Sequence, residues 1–412
     1  MKCPTCNKEK HKGWLYCPYC GKVVSNSEKG PVYVAERLPY VLGKSTYGKF
    51  LFENFSSLDN LSKTPWMKVE KIRPTLDNFA HSILLDLSIF SFLYLAPRSI
   101  SEIYKIGQFV GHSSVGRALA VTKLDKPVSL LSGTGLFWKF FEFEKLWTEY
   151  GMGWKKVGSG LIQRESINKK EKYIKVSLRN SSTSIISFKK PLCFWYAGVL
   201  SGQMDCFFSG YWSAHEEQCS CTPKEEKCIF KLTLHEKEIE PITPKITKEE
   251  IKDILGQLID NCIQKKKNLK GEVGDYQHLM MHQATNYPLI SSSRGHEILV
   301  KQAGNYIGQE IIKKTETNDI NEAIEIMKEQ FTYLKAGILN FKKDKEGFKI
   351  KLEDSVYSSG VNDINMKLDT FLAGIIEGAL NQSTGEKWQV NETKCLANGD
   401  DYCEFTCRRQ DR

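Results

Sequence analysis

The most apolar stretch of the chain, SILLDLSIFSFLYLA from Ser82 to Ala96, is broken by a single acid, Asp86. It is about five residues short of a bilayer span, so it predicts a buried core element and no membrane span. Further on, apolar positions fall into helical stripes. Ile251, Ile254, Leu255, Leu258 and Cys262 follow a Thr247–Glu250 capping box. Ile320, Ile324, Met327, Phe331 and Leu334 share one face, with Gly337 as the expected C-cap. The segment ILNFKKDKEGFKIKLED, residues 338–354, alternates apolar and polar residues around a glycine-containing turn, which predicts a hairpin. Helices grouped with antiparallel hairpins predict an α+β fold.

The pattern repeats. CFWYAGVLSG aligns with DTFLAGIIEG, pairing Cys193 with Asp369, Gly198 with Gly374 and Gly202 with Gly378, each 176 positions apart (369 − 193). Glu216 and Glu392 share that offset, as do Cys219 and Cys395, while Cys228 and Cys403 are 175 apart. Upstream, IGQFVG aligns with AGNYIG through Gly107 with Gly304 and Gly111 with Gly308, an offset of 197. This is the signature of an internal duplication. Each copy is expected to hold a helix with closely packed glycines, a second helix, a hairpin, a third helix carrying Ala-Gly-x3-Gly, and a closing hairpin.

The charged, proline-bearing stretch EKEIEPITPKITKEE, residues 236–250, separates the copies. The expected domains are residues 1–24, 32–236 (with an N-terminal extension) and 246–410. The first carries Cys3-x2-Cys6 and Cys17-x2-Cys20, a zinc-ribbon spacing with four thiolate ligands and no open coordination position. No secretory leader is visible, so a cytoplasmic, reducing setting is expected, where 13 cysteines point to metal rather than disulfides. The formal charge of +9 shrinks once metal-bound cysteines are counted as thiolates. An acidic partner is permitted, and nucleic acid through the ribbon remains open beside a protein partner.

The closing hairpins hold the chemistry. Cys193 at the start of the third helix, with Glu216, Cys219 and Cys228 on the hairpin, would pin helix to hairpin through one zinc ion. Cys221 stands beside Cys219, and either thiol fits at this stage. The second copy offers Asp369, Glu392, Cys395 and Cys403; with one soft ligand lost it should hold zinc less tightly. Buried free thiols are the plainer alternative for both.

The runs PLCFWYAGVLSG…HEEQC…CIF and LDTFLAGIIEG…NETKCLANGDDYCEF resemble the 4-vinyl reductase domain family. That family shares its fold with TRAPP vesicle-tethering subunits and haem–nitric-oxide sensor domains. The resemblance covers about residues 95–235 and 290–410. It implies a sensor domain for aromatic hydrocarbons, an enclosed apolar pocket beside a structural zinc, and pairing of domains, here as an intrachain pseudo-dimer. Carried over, the zinc role falls on Cys193, Glu216, Cys219 and Cys228, and on Glu392, Cys395 and Cys403, while Asp369 departs from the usual cysteine.

The expected function is therefore a zinc-binding sensor or regulatory binding protein for an apolar small molecule. The alternatives are a TRAPP-like scaffold and a tetrapyrrole- or hydrocarbon-related enzyme. No nucleotide fingerprint or flavin motif supports a reduction, so a non-enzyme is expected. Phe137, Phe140, Phe141, Trp147 and Tyr150 form an aromatic cluster; Phe137, Phe141 and Trp147 are candidate ligand contacts, with a plain aromatic core as the alternative. His278 and His282 are read as partly exposed, ordinary histidines. Cys206, Cys262 and Cys407 are read as spare thiols, and Lys265–Lys267 as a solvated face.

Overall fold

The computed structural model describes residues 72–121, 138, 142, 144–207, 211–265, 273–292, 294–344, 347–361 and 366–410. The ribbon cysteines, Phe137, Phe140 and Phe141 lie outside the described residues. The order is β1 (Phe79–His81), α1 (Ser82–Leu95), α2 (Ile100–Val121), α3 (Glu144–Lys156), β2 (Leu161–Asn168), β3 (Tyr173–Arg179), α4 (Phe194–Phe207), β4 (Tyr211–Gln218) and β5 (Cys228–His235). It continues with α5 (Lys248–Ile263), β6 (Tyr276–His278), α6 (Leu279–Ser291), α7 (Arg294–Lys314), α8 (Ile320–Tyr333), β7 (Ile338–Asp344), β8 (Gly347–Glu353), α9 (Thr370–Thr384), β9 (Trp388–Lys394) and β10 (Cys403–Arg409).

Two four-stranded antiparallel sheets have matching strand orders, β2-β3-β5-β4 and β7-β8-β10-β9. In each half a pair of helices crosses through glycine: α2 on α4, and α7 on α9. Only hydrogen fits at these crossings. A Cβ on Gly111 would lie 2.8 Å from the Gln203 nitrogen, and one on Gly308 would lie 2.9 Å from the Ala379 nitrogen. The apolar run at Ser82 is α1, whose residues are buried from Ser82 through Leu93. The capping box at Thr247 forms as expected, and the α5 stripe is fully buried. One boundary differs. Helix α8 ends before Gly337, with Lys335 in the left-handed region (φ 50°), and Gly337 instead lets β7 approach Leu352.

The halves are stitched together by a short strand pair. In β1 and β6, Phe79 faces His278, Ala80 faces Gln277 and His81 faces Tyr276. Each strand also binds the other half through its last residue: His81 N donates to Leu334 O and His278 N to Val157 O, both at 2.9 Å. The helices follow suit, α1 packing on α5 and α7, and α6 on α7 and α2. His278 and His282 are accordingly buried, at 4% and 0% exposure, a correction to the partly exposed placement expected from sequence. Their neighbours come from across the seam, which a local pattern does not show.

Arg73, fully buried, fastens the same seam. It donates to the carbonyls of Asp77, Lys335 and Phe79 at 2.6 Å each and of Asp354 at 3.1 Å. The Asp354 carboxylate returns the contact by accepting from Thr75 N and Leu76 N. Arg73→Met, which leaves those carbonyls unmet in the interior, should cost about 3 kcal/mol in urea unfolding. A loss within about 0.5 kcal/mol, ordinary for a surface change, would show that the staple is dispensable.

Candidate metal centres

Cys193 ends the loop that leads into α4, and its carbonyl accepts from Ala197 N. Cys228 opens β5, while Glu216 lies on β4 and Cys219 just beyond its end. One ligand atom from each falls within 4.8 Å of all the others. The three sulfurs are 3.5 Å (Cys193–Cys228), 3.9 Å (Cys193–Cys219) and 3.9 Å (Cys219–Cys228) apart. A tetrahedral ion with Zn–S bonds of about 2.3 Å needs sulfurs about 3.8 Å apart, so the triangle is the right size. Glu216 Oε2 accepts from Cys193 N at 2.7 Å, and its buried Oε1 has no partner. That free oxygen is available as a fourth donor to an ion at this position.

The same geometry separates Cys221 from Cys219. Their sulfurs lie 2.9 Å apart, too close for two ligands of one tetrahedral ion. Cys221 is the hydrogen-bond donor of the pair, and that bond with Cys219, followed by burial, pushes its pKa up. Burial works against ionisation of Cys219, but hydrogen bonds from Cys193, Cys221 and Cys228 hold it well below the ordinary thiol range. Cys219→Ser should therefore lower metal content by about one ion per chain, while Cys221→Ser leaves it unchanged. Metal analysis of the two purified variants reads this directly, and the reverse result would exchange their roles.

The second cluster brings Asp369, Glu392, Cys395 and Cys403 within 4.8 Å of one another, all buried. Asp369 is the N-cap residue of α9 and makes no side-chain cap bond. Its carboxylate instead accepts from Ser355 and Ser358, the latter at 2.9 Å. Glu392 Oε2 accepts from Asp369 N at 3.0 Å, and its buried Oε1 is unpartnered, as in the first half. Burial, with Cys228 next, raises the pKa of Glu216; burial, with Asp369 next, raises that of Glu392. Acidic groups crowded together in a dry interior suit a divalent cation, which would favour their ionised forms.

Outside these clusters, Trp147 is buried and packs edge-on against Tyr150 with ring centroids 5.7 Å apart. Cys262 is buried and donates to Gln330 Oε1 at 3.0 Å, and Cys407 is buried on β10. Lys265 pairs with Glu329 at 3.0 Å. No described helix is long and apolar enough to cross a membrane.

A fold of this kind, with a helix and a hairpin brought together by thiols and carboxylates, has recognisable relatives. The sequence profile of the vinyl-4-reductase domain family matches residues 348–409, which contain Glu392, Cys395 and Cys403. An uncharacterized protein of Methanocaldococcus jannaschii is 31% identical over 141 residues, spanning 34% of this chain and 80% of the relative. The family match is thus confined to the C-terminal end of the chain, and the kinship with the archaeal protein to about a third of its length. Among solved structures, a vinyl-4-reductase family protein from the same organism aligns at 21% identity and a TM-score of 0.29, covering 38% of this chain and 96% of that one. The phenol-responsive sensory domain of the transcription activator PoxR, solved with phenol, aligns at 14% identity and a TM-score of 0.28, over 37% and 88% of the respective chains.

Proposed function

We propose that the protein is a non-enzymatic small-molecule sensor: two vinyl-4-reductase-type units fused in one chain, each clamped by zinc, behind a ribbon that carries a third ion. The observation that carries this reading is the closed donor set. Each cluster offers four protein ligands, all buried except the half-buried Glu216, enough to fill a tetrahedral ion and leave no position for a substrate. Cys193, Glu216, Cys219 and Cys228 would hold one ion, and Asp369, Glu392, Cys395 and Cys403 the other. Bound there, the metal supplies a cross-link and a positive charge, not a reactive water. The vinyl-4-reductase domain match at residues 348–409, together with the resemblance to domains that sense aromatic compounds, supports recognition of an apolar ligand as the purpose of the scaffold so held.

The two units would pair as a pseudo-dimer. The β1–β6 register supports this, because Ala80 faces its equivalent Gln277, 197 positions on (277 − 80), while Phe79 faces the equivalent of His81 and His81 that of Phe79. Such self-complementary pairing is how two copies of one domain meet.

Two measurements on the full chain test the proposal. Metal analysis after purification without added metal should give about three zinc ions per chain, and Cys193→Ser should remove one. Calorimetric titration with benzene, toluene and phenol should then give saturable binding of at least one of them. Zinc only in the ribbon would remove the clamps, and no binding by any of the three would remove the sensor.

A further inference from the structure

Ser82 Oγ, Asp86 Oδ2, Ser159 Oγ and Gln277 Oε1 all lack a hydrogen-bond partner, and none of the four residues is more than 4% exposed. They belong to one neighbourhood. Ser82 and Asp86 stand one turn apart on α1. Asp86 Oδ1 accepts from Ser182 Oγ at 3.1 Å, Ser182 Oγ accepts from Tyr196 OH at 3.4 Å, and Tyr196 OH accepts from Gln277 Nε2. The turn holding Ser159 lies against β6, where a Cβ on Gly158 would come within 3.2 Å of Gln277 Cα. Apolar rings adjoin the group: Trp154 is 6.1 Å from Tyr196, and Phe90, one turn beyond Asp86, is 6.0 Å from Phe194. Interiors rarely leave polar atoms unpaired, so several together mark a place for water or a ligand.

The other half of the chain supplies a control. The offset of 197 places Leu279 where Ser82 stands, Gln283 for Asp86, and Ala80 for Gln277. The offsets of 176 and 177 place Leu372 for Tyr196, Phe331 for Trp154 and Ala336 for Ser159. Local structure anchors these alignments. His81 and His278 each accept, through Nδ1, a bond from the backbone two residues on, and the Trp154 and Phe331 carbonyls accept from Ser159 N and Ala336 N. The counterparts are buried too. Gln283 also leaves its amide oxygen free, but its nitrogen donates to Ser359 O at 2.9 Å. The same architecture is thus built with apolar side chains at most of these positions. The polar set is not required by the fold, and a buried carboxyl is costly to keep.

We infer that this polar set is a recognition site, confined to the first half, for a small molecule with an amine-type head. The inference rests on the ligand-binding reading above and names the ligand's polar group. The free atoms are a carboxylate oxygen, an amide oxygen and two hydroxyls that rotate to accept. An ammonium group brings three donors and the positive charge that Asp86 lacks, while an apolar body would lie against Phe90, Phe194 and Trp154.

The test is calorimetric titration of the full-length protein with methylamine, benzylamine, benzyl alcohol and toluene, in parallel with the Asp86→Gln variant. That substitution copies the residue used by the other half, so the variant should fold; its thermal unfolding provides the check. Saturable binding of an amine, weakened about tenfold or more by Asp86→Gln while toluene binding is kept, is the expected result. Amine binding that the variant leaves unchanged would overturn the assignment. So would toluene and benzyl alcohol binding without either amine, though the sensor reading would survive. If none of the four binds, the polar atoms hold water only and the assignment falls, while the sensor reading stands or falls with the benzene and phenol titrations.

Discussion

Gly374→Ala should abolish the fold of the second half, or cost about 3 kcal/mol or more if the helices manage to part. The new Cβ would lie 3.0 Å from Asn305 N, 3.1 Å from Gly304 Cα and far inside contact distance of the Lys301 carbonyl oxygen. All three are backbone atoms, so no side chain can swing aside. The equivalent change in the first half, Gly198→Ala, meets Tyr104 and Gln108 in the same way and should be as damaging. Gly256→Ala is the control. Gly256 sits inside α5 with nothing within 4 Å of a new Cβ, so there alanine should stabilise by roughly 0.5–1 kcal/mol. Urea unfolding of the three variants distinguishes close packing from a general intolerance of glycine replacement. Equal, small effects at Gly374 and Gly256 would remove the packing argument.

Acid should unfold the protein well before its surface carboxylates are neutral. Burial, reinforced by Lys335 for His81 and by Arg73 for His278, lowers both pKa values from 6.5 to about 4. Burial lowers that of His282 to about 3. Each histidine is neutral in the folded chain where the unfolded chain takes up a proton. Stability is therefore fully present above pH 6.5 and falls as pH drops from there toward about 4. Asp86 has the opposite sign. Burial raises it to about 7, so the folded state keeps a proton that the unfolded state releases above about 3.8, and Asp86 offsets one of the three histidines in that window.

The slope from these four groups alone, about two protons, corresponds to a loss on the order of 5 kcal/mol between pH 6.5 and 4.5. Arg73, Asp77, Lys335, Tyr276 and Tyr333 are the other titratable groups facing these rings. His282→Leu, which copies Leu85 at the aligned position, should reduce the slope by one proton. The metal clusters are common to wild type and variant, so the difference isolates the histidine. Parallel pH profiles would place the acid sensitivity elsewhere.

The donor clusters were legible in the sequence because the residues that gather in each keep their spacing in both halves. The helical stripes of α5 and α8 were legible for a similar reason: each buries one face over several turns. The seam was not. Strands β1 and β6 are three residues long, FAH and YQH, too short to show alternation, and their paired residues Ala80 and Gln277 stand 197 positions apart (277 − 80). His278 and His282 looked ordinary because what buries them is remote in sequence. Gly337 was read as a helix cap from its position alone, whereas the close approach of Leu352 gives it another use. The choice between Cys219 and Cys221 turned on a distance between sulfurs that no spacing encodes.

The exchange of α1 and α6 across the seam bears on how the chain matures. Helix α1, buried along nearly its whole length, rests on α5 and α7, which are translated more than a hundred residues later. A nascent first half leaving the ribosome lacks the two helices that cover much of it. The order of synthesis and the order of folding are thus decoupled: the first half waits, with its most apolar helix uncovered, for the second. Production by the cell should depend on whatever shields that helix in the interval, and a first half expressed alone should aggregate even when its own sheet is intact.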